Sequence, residues 1–398
     1  MKPPINQAGL ERPTTMTDLD GLSAATAHLD PPLAALDLAV LQANAADLVR
    51  RAAGKPVRVA SKSVRCRHVL DLALATPGFG GVMGYSLREA IWLVRSGARD
   101  VLIGYPTADR GALAELAGDA ALVEAITLMV DDPAQLRFIR AAAGTASLRL
   151  CLDVDASLRI GRVHLGVRRS PLRTPGAAAA LARIALTEGF RVVGLMFYEA
   201  QIAGLPDSSP AVRLVKQRSA AELAVRRGEV VAAVEDVCGT LELVNSGGTG
   251  SVEISSDDPC VTEVTAGSGL YVPTLFDNYR AFQPRPSLYF ALPVVRRPAR
   301  DIATLFGGGY IASGPAGDSR VPKPVARGLK LLETEGAGEV QTPVQGRPAR
   351  GLQIGDRVWF RHAKAGELLE RFDTVHVVEA GEVVASVPSY RGEGRNFG

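Results

Sequence analysis

Aromatic residues are scarce, at 5% of the 398 positions, which removes the usual stacking platforms for nucleic-acid bases. Net charge is small as well. The 45 Lys+Arg against 42 Asp+Glu leave +3 at pH 7, too even a balance to favour nucleic acid or an acidic membrane surface as a partner. The four cysteines, Cys66, Cys151, Cys238 and Cys260, lie far apart with no CxxC. Scattered thiols in a long chain fit a reducing, cytoplasmic setting rather than a disulfide scaffold. No apolar run approaches about 18 residues, and the opening MKPPINQAGLERPTTMTDLDG has no hydrophobic signal core. Neither a membrane span nor a secretion signal is expected. What is present is an ordinary globular mix, 47% hydrophobic and 22% charged, ample for a buried core.

From residue 31 short apolar runs alternate with amphipathic stretches. LAALDL at 33–38, VRVASKS at 57–63, GGVMGYS at 80–86 and DVLIGYP at 100–106 read as strands. So do AITLMVDD at 125–132, LRLCLDVD at 148–155, VVGLMFYE at 192–199, LELVNSGG at 241–248 and VTEVTAG at 261–267. Between them lie helical segments such as SLREAIWLVRSG, with Ser86 as N-cap, Glu89 at the capping-box position and Gly97 as the stop. Eight or nine such alternations predict a parallel (β/α)₈ barrel of the TIM type over about residues 31–275. The pattern then breaks at a proline-rich stretch. Short β-branched runs and Gly/Pro turns predict a mainly β domain over 276–398, completed by 1–30, with a hairpin turn at Glu379–Glu382 and a loose tail at 392–398.

Barrel active sites form where strands end at their C-termini. The polar residues expected there are Lys62 and Ser63, then Asp153, Asp155 and Arg159, then Tyr198, Glu199 and Gln201, and finally Asn245–Ser251. A lysine ending an apolar strand is desolvated, which frees its amine for Schiff-base chemistry; the plain alternative is a solvent-exposed lysine at a strand end. The run Asn245-Ser246-Gly247-Gly248-Thr249-Gly250-Ser251 offers backbone N–H groups and hydroxyls to a phosphate, or is simply a tight turn. It lacks the Lys-Ser/Thr of a nucleotide loop. A strand-end lysine combined with a phosphate cradle suggests pyridoxal phosphate.

Taken in order, RVASKS, GVMGYSLREAIWLVRSGARDVLIGYPT, VNSGGTGS, EVTAGSGLY and VHVVEAGEVVASVP resemble segments of the fold-type III pyridoxal-phosphate enzymes, the alanine racemase class. Within it they are similar to the D-threonine aldolase/D-serine dehydratase family, in the amino acid deaminase/aldolase-like subgroup. The likeness runs from about residue 31 to 390 and includes Asp37 and Asn44 of the opening segment. It implies Lys62 as the Schiff-base lysine, a cofactor site of Arg159, Tyr198, Ser246, Gly247, Gly248, Thr249 and Tyr271, and a homodimer whose active sites use both subunits. The implied reaction is lyase chemistry on a D-configured β-hydroxy amino acid, either aldol cleavage or dehydrative deamination. A racemase or epimerase, or a cofactor-binding carrier or regulator without catalysis, is the alternative.

Two departures stand out. Val59-Ala60 replaces a Pro-His pair before the lysine, and Arg361-His362-Ala363-Lys364 stands where the aldolases and dehydratases carry a divalent-metal pair, His-x-Cys or His-x-Asp. A charged lysine has no lone pair for a metal. The expectation is therefore no tightly bound metal, with Lys364 supplying a positive charge near the substrate and His362 beside it.

Overall fold

The run Leu33–Asp37 (β1) departs from the expected plan. A computed structural model describes residues 17–280, 282–283 and 285–398, and in it β1 lies outside the barrel. Predicted as the opening barrel strand, it is instead antiparallel to Leu288–Ala291 and parallel to Val375–Val378. Its burial supplies the physical reason. Ala34 and Leu36 face the main core, while Leu33 and Ala35 pack with Leu22 and Ala25 of the helix Thr17–Ala25. A short continuous apolar run does not reveal which sheet it joins. Of the N-terminal segment expected to complete the β domain, residues 1–16 lie outside the described residues.

The next strands are β2 (Val57–Ala60), β3 (Phe79–Gly84), β4 (Val101–Ile103), β5 (Ile126–Val130) and β6 (Arg149–Asp153). A small antiparallel hairpin, β7 (Leu158–Ile160) and β8 (Val163–Leu165), is inserted before β9 (Arg191–Phe197), β10 (Leu243–Ser246) and β11 (Glu263–Ala266). Eight parallel strands close in the order β2-β3-β4-β5-β6-β9-β10-β11 and back to β2, with helices between them, as a (β/α)₈ barrel requires. Helix caps follow the residues present. Asp37 accepts from the Val40 N–H (3.0 Å) and Ser86 from Glu89 (3.2 Å), while the Glu89 carboxylate reaches back to the Tyr85 N–H (2.7 Å). The longest helix, Pro210–Cys238, has 29 residues. No helix among the described residues is long and apolar enough to cross a membrane.

The second sheet adds β12 (Leu288–Ala299), β13 (Ile302–Phe306), β14 (Lys323–Pro324), β15 (Lys330–Leu331), β16 (Gln341–Gln345), β17 (Arg357–Arg361), β18 (Thr374–Glu379) and β19 (Glu382–Pro388). Its main path runs β15-β16-β13-β12-β1-β18-β19, with β17 also on β12 and β14 on β17. The predicted hairpin is there: Ala380 and Gly381 both take positive φ, 50° and 83°, the geometry of a two-residue turn that matches strand twist. The tail expected to be loose is docked instead. Phe397 packs 5.4 Å from the Trp92 ring, and Glu393 pairs with Arg67 at 2.5 Å.

Inside the barrel, Leu102, Met129, Cys151, Met196 and Leu243 form one apolar layer. Toward the N-terminal end of β2 the interior turns ionic. Arg58, 2% exposed, binds Glu263 through Nε (2.7 Å) and Nη2 (2.9 Å), and Asp100 through Nη2 (2.7 Å). Gly81, at φ +71°, lies against the guanidinium where a side chain would collide. Asn245 Nδ2 donates to Glu263 (2.8 Å) and to Thr265 (2.7 Å), linking this ion pair to the floor of the mouth. Breaking a buried pair by removing one partner leaves a stranded charge. Arg58→Met should therefore cost about 3–5 kcal/mol in urea unfolding; a loss below about 1 kcal/mol would mean that the pair adds no more than an exposed one.

Candidate active site

A cavity of about 310 Å³ opens at the C-terminal mouth of the barrel. Lys62 lines it from the 3₁₀ turn Ser61–Ser63, directly after β2. The turn is pinned by the buried Ser61, whose Oγ donates to Met83 O (3.0 Å). Lys62 Nζ donates to Tyr105 Oη at 3.1 Å. The side chain is solvent-exposed, which corrects the expectation of a desolvated amine. The mouth is open, so the protein alone does not strip water from this group.

Facing the same cavity is the Gly-rich loop, which follows the seventh barrel strand, β10, because β1 is not in the barrel. Gly247 takes φ +97°, a conformation that disfavours other residues. A Cβ at Gly248 would lie 2.9 Å from the Ala203 Cβ. Gly247, Gly248 and Thr249 line the cavity together with Gly267 and Ser268 of the segment after β11. Thr249 Oγ1 accepts from the Gly269 N–H (2.9 Å) and lies 3.2 Å from Ser268 Oγ. The backbone N–H groups of Thr249, Gly250 and Ser268 find no acceptor among the described residues. Donors left open around a glycine-lined hollow form a ready oxyanion cradle.

Two sequence candidates support this loop from behind instead of facing the cavity. Ser246 Oγ lies 2.9 Å from both Phe197 O and the Glu199 carboxylate, and accepts from Arg227 (2.9 Å). Glu199 is 1% exposed and collects the Gly247 N–H (3.2 Å) and the hydroxyls of Ser251 (2.7 Å) and Ser255 (2.6 Å). One buried carboxylate thus organises the underside of the cradle.

Tyr198 lines the cavity, and the Arg169 guanidinium lies 5.2 Å from its ring and 5.6 Å from that of Tyr105. Behind Arg169, burial pushes the Asp153 carboxyl up to about 7, with Asp131 adding to the shift and Arg169 opposing it. Arg159 is not part of this group. It lies on the exposed β7–β8 hairpin and pairs with Asp155 (2.6 Å), which also meets Arg173 (3.3 Å) rather than Arg168 or Arg169. Gln201 is buried and donates to Ala156 O (2.7 Å). Tyr271 is fully buried, donating to Val64 O (3.0 Å), and does not line the cavity. Five polar lining residues escaped the sequence reading: Tyr85, Tyr105, Arg169, Thr265 and Ser268. The strand-end rule covers Tyr105 after β4, and Gly267-Ser268-Gly269 is a second Gly-rich run after a strand. No local signal marks Arg169.

The second sheet supplies the remaining wall. Thr274 and Leu275 N–H groups donate to the carbonyls of His362 (3.0 Å) and Ala363 (3.2 Å), which docks the segment after β17 beside the mouth. The backbone of Gly366 packs directly on the Lys62 carbonyl. Lys364 lines the cavity, whereas His362 lines a separate hollow of about 220 Å³ that Lys364 also borders. The His362 imidazole is 2% exposed with neither nitrogen hydrogen-bonded among the described residues, and burial lowers it to about 3, so it is neutral. Two of the three protons of the Lys364 ammonium go to Ser313, to Oγ at 2.9 Å and O at 3.2 Å. An ammonium and one isolated imidazole are not a divalent-cation site. No group of three or more His, Cys, Asp or Glu among the described residues is placed to hold a metal.

Comparison with known proteins agrees with this geometry. The family model of the alanine racemase N-terminal domain matches residues 36–274. D-threonine aldolase from an Arthrobacter species is 28% identical over 290 residues, spanning 71% of this chain and 72% of that protein. The crystal structure of D-threonine aldolase from Filomicrobium marinum aligns with a TM-score of 0.76 at 20% identity, over 91% of this chain and 95% of that one. D-threo-3-hydroxyaspartate dehydratase from Delftia sp. HT23 aligns with a TM-score of 0.70 at 19% identity, over 91% and 97%. With more than half of its length matched, and with a barrel-mouth lysine facing a glycine-lined cradle, the chain belongs to the alanine racemase N-terminal-domain family of fold-type III pyridoxal-phosphate enzymes.

Proposed function

We propose that this protein is a pyridoxal-phosphate-dependent lyase acting on D-configured β-hydroxy amino acids, with Lys62 as its cofactor lysine. The observation that carries the reading is the pairing of Lys62 with the cradle across one cavity. The residues fit the cofactor. Open N–H donors at Thr249, Gly250 and Ser268, with the Thr249 hydroxyl, suit a phosphate, and the hollow at Gly248 is one a side chain would fill. Both curated and structural relatives include D-threonine aldolases, and one is a D-threo-3-hydroxyaspartate dehydratase.

Pyridoxal phosphate, when bound, supplies the electron sink that allows a bond at Cα to break. The chain's own residues choose and serve that bond. Lys62 carries the amine that exchanges with the substrate amine and then moves a proton at Cα. Tyr105, hydrogen-bonded to Nζ, holds this amine in one direction. Arg169, set against two tyrosine rings, adds a fixed positive charge where negative charge develops. Pro273, Leu275 and Phe276 form an apolar wall along one side of the open mouth.

A racemase needs a second base on the opposite face of the substrate. Among the described lining residues there is no His, Asp or Glu. Burial holds the phenols of Tyr85 and Tyr198 above their ordinary range, hence protonated, and Tyr105 lies on the Lys62 side. The lyase reading itself rests on the relatives, D-threonine aldolases and a D-threo-3-hydroxyaspartate dehydratase. The test is a panel of D- and L-threonine and D- and L-serine with product identification. We expect D-isomers to yield an oxo acid with ammonium, or glycine with an aldehyde. Accumulation of the opposite enantiomer would establish a racemase, and no turnover of any member would establish a carrier.

A further inference from the structure

Resting on the lyase reading above, the lining of the cavity discriminates between the two lyase reactions. Aldol cleavage requires a base to take the β-hydroxyl proton as the Cα–Cβ bond breaks. Dehydration requires the opposite, an acid that protonates the departing hydroxyl. The cavity carries three basic side chains, Lys62, Arg169 and Lys364, and no carboxylate or imidazole among its described lining residues. Lys62 is committed to the cofactor, and Arg169 lies against Tyr105 and Tyr198. A guanidinium does not give up its proton, so among the described lining cations Lys364 is the one able to act as an acid. An ammonium has three donors, and Ser313 takes two of them. Ser313 is itself fixed, its N–H donating to both oxygens of the Glu367 carboxylate (3.0 and 3.2 Å). Lys364 thus reaches the cavity as a positioned cation with one N–H left free among the described residues, two residues from His362, where the resembling enzymes place a metal pair.

We propose that Lys364 recognises the oxygen on the substrate β-carbon and acts as the acid of a metal-independent dehydration. In this step the Cα proton passes to the Lys62 amine. The Cβ–O bond breaks with its electron pair on oxygen, which takes the third Lys364 proton and leaves as water. Lys62 then gives the Cα proton to solvent and its amine displaces the product amine, releasing the enamine. This tautomerises to an imine and takes up water to give a 2-oxo acid and ammonium, and Lys364 regains its proton from solvent. The preferred substrates are D-amino acids with a β-hydroxyl. A second carboxylate on the β-carbon would be favoured by the same basic lining.

The experiment uses the holoenzyme after exhaustive EDTA treatment, with metal content measured per subunit, alongside Lys364→Met and Ser313→Ala. Elimination from D-threonine is compared with solvent-deuterium exchange at Cα of D-alanine, which has no β-oxygen. The dissociation constants of both ligands are read from the cofactor absorption. We expect the metal-depleted enzyme to keep its rate within about twofold and to form 2-oxobutanoate and ammonium in equal amounts. Lys364→Met should depress elimination at least about 100-fold more than it depresses D-alanine exchange, the lower end for a positioned proton donor. It should also raise the D-threonine to D-alanine dissociation-constant ratio at least about tenfold, losing one charge-assisted hydrogen bond. Ser313→Ala, which frees the ammonium without removing it, should act in the same direction but less. Loss of rate in EDTA with recovery on zinc or manganese would overturn the proposal. So would glycine and acetaldehyde as products, or equal losses for both ligands in Lys364→Met. Absence of both exchange and spectral response with every D-amino acid would instead overturn the lyase reading, and this proposal with it.

Discussion

Lys62→Ala should abolish trapping of the cofactor by borohydride and lower turnover by at least about 10³-fold. The magnitude follows from two tasks on one amine, since proton transfer alone contributes about 10²–10⁴-fold and covalent attachment is lost as well. The purified protein should be yellow, and reduction should leave the pyridoxyl group on the Lys62 peptide. Lys364 is the other lysine lining the cavity among the described residues, so it is the natural competitor for the label. The two are distinguishable by their partners. Among the described residues Lys62 Nζ has a single acceptor, Tyr105 Oη, whereas Lys364 Nζ is bound at two atoms of Ser313. Small primary amines should partly restore Cα exchange to Lys62→Ala, because the open cavity that leaves Lys62 exposed also admits them. A label on Lys364, or none on any lysine, would remove the cofactor assignment.

The parts of this site that were legible in the sequence are those whose signal is local. Lys62 follows an apolar β-branched strand within two residues, and Gly247-Gly248-Thr249 follows another directly; the strand-end rule needs nothing more distant. Legibility failed where a residue's neighbours come from elsewhere in the chain. Leu33–Leu36 reads as a buried strand, but its partners in β12 and β18 lie more than 200 residues away. Arg159 and Arg169 are both arginines after β6. The β7–β8 hairpin carries the first into solvent and returns the second to the mouth, and no periodicity records that excursion. Tyr271 follows the closing strand, where an aromatic is as readily core as rim; its hydroxyl meets Val64 O in the interior. Glu199 looked like a substrate contact from its place after β9. Its four partners, Ser246 at the end of β10, Gly247 and Ser251 in the loop, and Ser255 in the helix Val252–Ser256, make it a clamp for that loop. Lys364 is legible as a departure from a metal pair, but Ser313, which aims it, lies 51 residues upstream in a Gly-rich loop without any period.

Gly248→Val should weaken cofactor binding at least about 100-fold while costing about 1–3 kcal/mol of stability, the usual range for an overpacked site. The two effects have different origins. Stability is lost because the new Cβ lies 2.9 Å from Ala203 Cβ, and a Cβ cannot swing aside; the short turn carrying Ala203 must give way. Affinity is lost because Gly248 lines the cavity between Gly247 and Thr249. The valine methyls would occupy the hollow where a phosphate must approach the open N–H groups of Thr249 and Gly250. A loss of about 100-fold corresponds to about 2.7 kcal/mol, comparable with one or two charge-assisted hydrogen bonds. Gly250 provides the contrast. It lends the cradle its open N–H, but a side chain there would collide with Ala203 O and the Tyr279 ring rather than fill the hollow, so Gly250→Val should appear first as a fall in thermal stability. Equilibrium dialysis with pyridoxal phosphate, set against urea unfolding of both apoproteins, separates the two quantities. If folded Gly248→Val bound the cofactor as tightly as the unsubstituted chain, the loop would be only a turn and the phosphate would have to be held elsewhere.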